Sequence, residues 1–454
     1  QVAENFEKYG QNHDLKMALL IGGVQMGDQL KALNEGVDVP SVDTLLMLRP
    51  TDSGTLFLQQ LGRGLRRCHG KTHCTVLDFV GLHRTEFRFD QRLTALLGGT
   101  RKQLIQQIER GFPYLPAGCH MELDRVAAQI VLENIRKAIP SRWAEKIEAL
   151  REYARGAAQV TLRGYLEASG MTAEDLYAGT KSWSELLEDA GFRVAPAGPN
   201  EEALRRACGR LLHVDDQERI DAYRSLLQRA TPPDPDLLTE RERRYLRMLV
   251  ASVADQAISR KESLGEACNL VWLHPQVRAE LLQLMDVLDE RIDHLGGLLR
   301  THPDVPLVLH ARYTRIEILA AMNLGTGAKP PLWQTGVYWA QEAQADLLAF
   351  TKHKTAGRFS PTTMYEDYAI SRELIHWQSQ STTRGGSETG LRYQHHAARG
   401  SSVLLFAREQ ADERAFYFLG PASYVRHEGE LPMSITWRLD QALPVDLTKS
   451  LAVA

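Results

Sequence analysis

The spacing of apolar and polar positions changes character twice along this chain. Near the front, Thr44-Leu45-Leu46-Met47-Leu48 and Thr75-Val76-Leu77-Asp78-Phe79 are almost uninterrupted apolar runs. That pattern suits strands buried on both faces of a parallel α/β sheet. Between them, Gly54 to Arg67 reads as helix, with Leu58, Leu61 and Leu65 at helical spacing and Arg63 and Arg66 on one side of its last turns. Residues 104–304 keep a helical period. Leu123, Val126, Ile130 and Val131 make one stripe, and Leu281, Met285, Leu288, Ile292, Leu295 and Leu299 make another, as in a packed helix hairpin. Breaks fall at 195–199 and 231–235, both rich in proline. Two short helices are expected between Tyr165 and Phe192. The first starts at Thr172; the second opens with a Ser182/Glu185 capping box and ends at Gly191. From residue 305 the runs Ser402–Ala407, Phe416–Gly420 and Met433–Leu439 read as short strands of a compact β-rich domain, with a small barrel as one form it can take. The expected architecture is α/β plus α plus β, divided at 1–103, 104–304 and 305–454.

Composition narrows the class. With 43% hydrophobic and 24% charged residues among 454, the chain is long enough for two to four globular domains. A net charge of -3 gives no overall basic excess, so an anion-binding surface has to come from local clustering. Such clustering exists: from Arg63 to Lys102 there are nine Lys or Arg against three Asp or Glu. Arg84, Arg88 and Arg92, with Phe87 and Phe89 between them, are spaced either to track a phosphate backbone or to form a solvated helix face. Cys68-His69 and His73-Cys74 are crowded into one turn, unlike the two-knuckle spacing of structural zinc, and no metal site is expected. Five cysteines make no disulfide framework, and no run is apolar enough to span a bilayer. A cytoplasmic location with no membrane partner is the expectation.

Two segments carry a specific resemblance. Asn34-Glu35-Gly36-Val37-Asp38-Val39-Pro40 resembles motif V of superfamily-two helicases of the DEAD/DEAH type. Gln59-Gln60-Leu61-Gly62-Arg63-Gly64-Leu65-Arg66 resembles their motif VI. Order, separation and the intervening strand all match. The resemblance implies a partial second RecA-like motor domain. In it Arg63 and Arg66, with Gln59, act on the γ-phosphate of ATP held by a first motor domain. Asp38, Gly36 and Gly62 would lie by the nucleotide, and Asn34 and Glu35 by the nucleic-acid backbone. The cofactors implied are ATP and Mg²⁺, bound mainly by that first domain. No Gly-x-x-x-x-Gly-Lys-Ser/Thr loop and no Asp-Glu-x-His box occurs in the sequence; Gly64 to Thr72 has one residue too many between its glycines. About thirty residues precede the motif V segment, too few for the usual βα units, and the chain starts at Gln1. A truncated front and a discontinuity near residues 22–33 are therefore expected.

A second resemblance spans residues 305–445. Ser360–Tyr368, His376–Ser381, Gly420–Val425 and Pro432–Trp437 resemble the uncharacterised C-terminal domain attached to a group of bacterial helicases. Members of that group often carry a phospholipase-D-like nuclease at the far N-terminus, and the company they keep points to phage defence or DNA repair. Two readings of this domain compete. In one, Trp377, Gln378, Tyr393, Tyr424 and His427 form a polar-aromatic pocket that reads nucleic acid by stacking. In the other, Asp346, Lys352 and Lys354 are the remnant of a nuclease site, which Glu342 and Glu366 complete poorly. The run Ser182–Gly191 also resembles small helical repeats accompanying DNA-cutting enzymes, although a structural spacer is favoured. Taken together, the expected function is ATP-driven remodelling or translocation on nucleic acid, with DNA favoured over RNA. The alternatives are a non-catalytic nucleic-acid-binding scaffold, or nuclease activity in the C-terminal domain.

Overall fold

The computed structural model describes residues 41–47, 54–78, 89–97, 101–113, 115, 119–137, 140–255, 257–292, 296–297, 302–325, 327–353 and 367–452. The chain divides into two compact units, Gln1–Gly156 with Tyr165–Thr172, and Ala157–Gly164 with Ala173–Ala454. Helices and sheets are both present, as the sequence led us to expect.

The first unit opens with β1 (Thr44–Met47), α1 (Gly54–Gly64) and β2 (Thr75–Asp78). The strands pair in parallel, Thr44 opposite Thr75 and Met47 opposite Asp78. Parallel neighbours need a crossover connection, and α1 lies in it. The helix stops at Gly64, so Arg66 sits in the turn beyond it rather than on its last turn. Its buried face is Phe57, Leu61 and Gly64, whereas Leu58 and Leu65 are 40% and 62% exposed. The expected stripe is thus rotated, and the reason is Gly64. A Cβ at that position would lie 2.7 Å from Leu45 Cγ and 3.0 Å from Cys74 Sγ, so glycine lets the helix close onto β1. The strands are less buried than expected: β1 is half-buried throughout and Leu77 of β2 is 46% exposed.

Next come α2 (Phe89–Leu97), α3 (Arg101–Glu109) and α4 (Arg125–Lys137) around a core of Phe89, Leu104, Ile108, Val131 and Ile135. Val126, expected on the apolar stripe of α4, points outward at 67% exposure. The inner face is instead Ala127, Val131 and Ile135, which follow one another at four-residue steps. Helix α5 (Trp143–Gly156) follows, and the Tyr165 hydroxyl of α6 (Leu162–Ser169) donates to the Lys146 carbonyl at 3.0 Å.

From Ala173 the second unit continues with α7 (Ala173–Leu176) and α8 (Trp183–Asp189). The Ser182 hydroxyl accepts from Glu185 N at 3.2 Å, as expected. The Glu185 carboxylate turns to Lys181 at 3.6 Å instead of closing a capping box. The N-terminus of α8 is seated by a carboxylate from far along the chain. Fully buried Glu280 accepts from Trp183 N at 3.0 Å and Ser184 N at 2.9 Å, and also from the Ser184 hydroxyl. Glu280 belongs to α13 (Pro275–Asp289), which packs against α8, α9 (Glu201–Cys208), α10 (Gln217–Leu227) and α12 (Leu264–Trp272), while α11 (Glu240–Val253) packs against α10 and α12. Leu281, Met285 and Leu288 of the second predicted stripe are buried. The helix ends at Asp289, before Ile292, and Leu295 and Leu299 lie outside the described residues.

This helical stretch, read from sequence as chemically quiet, contains a buried ion network. Arg219 of α10 is fully buried. Its guanidinium lies 2.9 Å from Asp216, 3.1 Å from Glu317 and 3.6 Å from Asp215, donates to the Arg312 carbonyl at 2.8 Å, and sits 4.2 Å over the Tyr313 ring. Arg312 and Tyr313 belong to β3 (Arg312–Thr314) and Glu317 to α14 (Arg315–Ala321). The network therefore ties the helical array to the β-rich segment. Burial pushes the Glu317 carboxyl up. His213 Nε2 at 2.6 Å, Arg219 and the Thr314 N–H outweigh that and hold it at about 2.

The β-rich segment continues with β4 (Val337–Ala340), β5 (Ala345–His353), β6 (Tyr368–Ala369), β7 (Leu374–Gln378), α15 (Glu388–His395), β8 (Ser402–Gln410), β9 (Ala415–Glu428), β10 (Ser434–Leu439) and α16 (Val445–Leu451). Its strands form one sheet in the order β4-β5-β8-β9-β10-β7-β6, with β3 added beside β9. The path runs from β4 to β6 without closing among the described residues, an open sheet rather than the barrel considered from sequence. β5 and β8 are parallel and the other pairs antiparallel. Phe350, Ile375, Leu405, Met433 and Trp437 lead its core.

Candidate functional site

The segment Gln59–Arg66, read from sequence as resembling motif VI, runs along α1 and out of its end. Gln59 and Gly62 face solvent, Arg63 is half-buried, and Arg66 is exposed in the following turn. Arg63 has no carboxylate partner among the described residues. Lys71 closes the turn by donating to the Gly64 carbonyl and, at 3.2 Å, to that of Arg66. A cation at the last carbonyls of a helix is favourable, and here it fixes the path of the chain through Arg66. Gly70, with φ of +82°, supplies the left-handed residue that this turn needs. Arg63 and Arg66 are thus carried, three residues apart, by the helix and following turn that connect β1 to β2.

Asn34, Glu35, Gly36 and Asp38, read from sequence as resembling motif V, lie outside the described residues, as do Arg84, Phe87 and Arg88. Arg92, read with them as a phosphate-tracking residue, is 3% exposed. It is ion-paired to Asp78, and its guanidinium carbon lies 4.0 Å from the Phe57 ring centroid. It braces α2 against β2, and Phe89 beside it is core. Neither presents a group to a nucleic-acid backbone.

In the β-rich segment the five residues read as one pocket separate into two layers. Trp377 and Tyr393 are 3% and 1% exposed, stacked edge to face at 5.7 Å beside Trp437. A ring so buried has no open face for a base, so Trp377 belongs to the core. Tyr424 and His427 are half-buried at the surface, with the Tyr424 hydroxyl 2.6 Å from His427 Nδ1. Residues three apart on a regular strand point to opposite faces. A register shift between Thr436 and Trp437 of β10 leaves Val425 of β9 as an extra residue, which brings Tyr424 and His427 together. Gln378 is engaged nearby, donating to Ser434 Oγ at 3.3 Å. Tyr424 is the aromatic that sequence reasoning named and that the structure keeps partly open. Burial raises its hydroxyl pKa, against the pull of a hydrogen bond from the His427 backbone N–H.

Two residues of the nuclease reading are engaged in structural contacts. Asp346 is 1% exposed and held by both Nε and Nη2 of Arg392, at 2.8 and 2.9 Å. Burial pushes its carboxyl up against the pull of that arginine. Lys352 donates to the Ser450 carbonyl at 3.0 Å and to that of Ala452. Glu342 is exposed, and Lys354 and Glu366 lie outside the described residues. Asp346 and Lys352 are structural contacts, not an open acidic-and-lysine site. No group of three or more metal-ligating side chains occurs among the described residues. No helix among them is long and apolar enough to cross a membrane.

Sequence reasoning passed over Arg219, Glu280 and Glu317, whose charge on amphipathic helices reads as solvent-facing. The only sequence-level hint was the Thr314/Glu317 spacing of a capping box, which the structure forms.

Comparison with known proteins adds two findings. Over 47 residues, 10% of this chain, it is 51% identical to a protein of Saccharomyces cerevisiae whose name carries ATP-dependent helicase IRC3 as a provisional assignment. Over 65 residues, 14% of the chain, it is 45% identical to a Schizosaccharomyces pombe protein provisionally named mitochondrial ATP-dependent helicase irc3. The aligned segments span 7% and 11% of those two relatives. The chain is in this measure helicase-related, and its residues 307–451, which hold the eight-stranded sheet, match the family described as "Domain of unknown function (DUF3427)".

Proposed function

We propose that this chain is the C-terminal part of an ATP-dependent, nucleic-acid-stimulated helicase or translocase of superfamily two. One observation carries the reading: Gln59 to Arg66 lies on a parallel strand–helix–strand element that holds Arg63 and Arg66 three residues apart, with Arg63 free of any carboxylate partner among the described residues. The names of the two relatives support it. In this reading residues 1–103 are part of a second RecA-like domain, 104–304 a helical connector, and 305–454 an accessory nucleic-acid reader.

Arg63 and Arg66 act on the γ-phosphate, where guanidinium forks match the oxygens and oppose the charge that develops during transfer. Gln59 is assigned to act with them, Gly62, Gly36 and Asp38 to contact the nucleotide, and Asn34, Glu35, Arg84 and Arg88 to contact the nucleic acid, as the resemblance implies. ATP and Mg²⁺ are held mainly by a first motor domain whose phosphate loop this sequence does not contain. DNA is the favoured substrate, in a cytoplasmic setting of phage defence or repair. A nuclease domain of the phospholipase-D type on the same polypeptide is compatible with this arrangement.

The test is biochemical. The purified 454-residue chain should hydrolyse no Mg-ATP, and the complete protein should do so with stimulation by DNA. Hydrolysis by this chain alone, abolished by Arg63→Ala, would show that its ATP site is not shared with another domain. A complete protein that binds DNA with no ATPase at all favours the scaffold reading.

A further inference from the structure

Four arginines distant in sequence meet in the second unit. Arg210 follows α9, Arg315 opens α14, Arg408 is on β8, and Arg414 lies in the turn from β8 to β9. Together they line a cleft of about 280 Å³. Arg315 and Arg408 both sit over Phe416, their guanidinium carbons 5.4 and 4.6 Å from its ring centroid. Two positive groups are thus held against one buried ring.

What holds them is almost entirely uncharged. Arg315 Nη1 donates to the carbonyls of Trp333 and Gln334 at 3.3 and 3.2 Å, and its buried Nε has no partner. Arg408 Nε donates to Thr351 Oγ1 at 2.9 Å, and its Nη1 to the Glu413 carbonyl. Arg210 Nη1 reaches the Ser252 carbonyl at 3.5 Å. The one carboxylate lining the cleft, Asp255, is 3.6 Å from Arg210 and is shared with Lys329 at 2.9 Å. Asp412 and Glu413 act on Arg408 from the turn without forming an ion pair with it. Arg315, Arg408 and Arg414 have no ion-pair partner among the described residues. Burial, and then the charge of Arg408, bring the Arg315 pKa down to about 10, the mark of a cation short of counter-charge.

Carbonyls and a hydroxyl orient Arg315 and Arg408 without neutralising them, so among the described residues four arginines of the cleft face one carboxylate that is itself shared with a lysine. A carboxylate carries one charge and two oxygens. A terminal phosphate or a diphosphate carries more of both, and matches several guanidinium forks at once. The volume falls just below the roughly 300–1,000 Å³ of pockets that enclose a whole small molecule, so the cleft suits a phosphate group whose bearer extends outside. We propose that this cleft binds a terminal phosphate or diphosphate group, presented either by the end of a nucleic-acid strand or by a free nucleotide. The inference does not rest on the motor assignment, and its test involves no ATP hydrolysis.

The 454-residue chain is titrated against a 5′-phosphorylated single-stranded oligonucleotide and its 5′-hydroxyl twin by fluorescence anisotropy, and against inorganic pyrophosphate by calorimetry. A preference for the phosphorylated strand identifies a strand end, and pyrophosphate binding identifies the nucleotide source. Either must weaken by about tenfold or more in Arg408→Gln and in Arg414→Glu, the order expected for losing a charge-assisted hydrogen bond. Arg414 is exposed, so its variant folds even if Arg408→Gln does not. Reversal of an exposed arginine elsewhere, Arg399→Glu, should leave both measurements unchanged. Absence of both signals in the wild-type chain overturns the proposal, as does binding that survives in folded Arg414→Glu or falls equally in Arg399→Glu.

Discussion

Replacing Arg219 by Met tests the buried network directly. Methionine keeps most of the length and apolar stem of the side chain but removes the charge that faces Asp216, Glu317 and, more distantly, Asp215. Removing one partner of a buried ion pair typically costs about 3–5 kcal/mol, because the other is left uncompensated. The residual partners here argue for the lower end. Glu317 keeps His213 at 2.6 Å and the Thr314 N–H at 2.8 Å, while Asp216 keeps the backbone N–H of residue 219 at 2.8 Å and the Tyr313 hydroxyl at 3.2 Å. Burial already pushes the Asp216 carboxyl up, so it can take a proton in the variant. A loss of about 3 kcal/mol should lower the melting temperature of the second unit by roughly 4–6 °C, the range set by its size. Differential scanning calorimetry at pH 7, with urea titration as a second readout, measures it. In a double-mutant cycle, Glu317→Gln should cost less in the Arg219→Met background than in the wild type, with a coupling of about 1–3 kcal/mol. A melting temperature within a degree of wild type, or strictly additive losses, would refute the assignment of this network as the tie between helical array and sheet.

Three further outcomes follow from single positions. Glu317, held at about 2 in the folded chain, contributes stability that is complete above its ordinary value near 4.5 and disappears as pH falls toward 2; Glu317→Gln should therefore cost roughly 3 kcal/mol at pH 7 and progressively less in that acid window, and a pH-independent difference in urea midpoints would contradict it. Gly62→Ala meets nothing within 4 Å and should stabilise α1 by about 0.5–1 kcal/mol, whereas Gly64→Val presses on Leu45 and Cys74 and should cost about 1–3 kcal/mol; equal melting shifts would overturn the packing argument. Tyr424→Ala should weaken nucleic-acid binding by roughly 1–3 kcal/mol and persist at raised salt, while Trp377→Ala should act mainly by unfolding the sheet; unchanged anisotropy for a folded Tyr424→Ala removes the reader.

Local chemistry was legible where one segment decides the outcome. The apolar runs near residues 45 and 76 form the parallel pair they suggested, and Ser182 caps the helix it precedes. What escaped was decided by distant partners. Leu58 and Leu65 have the right spacing for a buried stripe, but the space that glycine opens at position 64 turns a different face inward. Trp377 and Tyr424 are both aromatic residues in strands; only the packing of Trp437 and Tyr393 distinguishes a core ring from an open one. The pairing of Tyr424 with His427 depends on a bulge that no periodicity announces. Arg219 finds Glu317, and Arg210 finds Arg414, across separations that sequence patterns of a few residues do not reach.

The most direct measurement is nucleic-acid-stimulated ATP turnover of the complete protein carrying Arg63→Ala, with ATP affinity determined in parallel. An arginine acting on the transferring phosphoryl group contributes on the order of 10³ to 10⁵ in rate while adding little to ground-state binding. We expect turnover to fall by that order with nucleotide affinity nearly unchanged, and Arg66→Ala to behave in the same way. Wild-type turnover in Arg63→Ala, or a loss explained wholly by weaker ATP binding, would contradict the reading of residues 59–66 as the second half of an ATPase site.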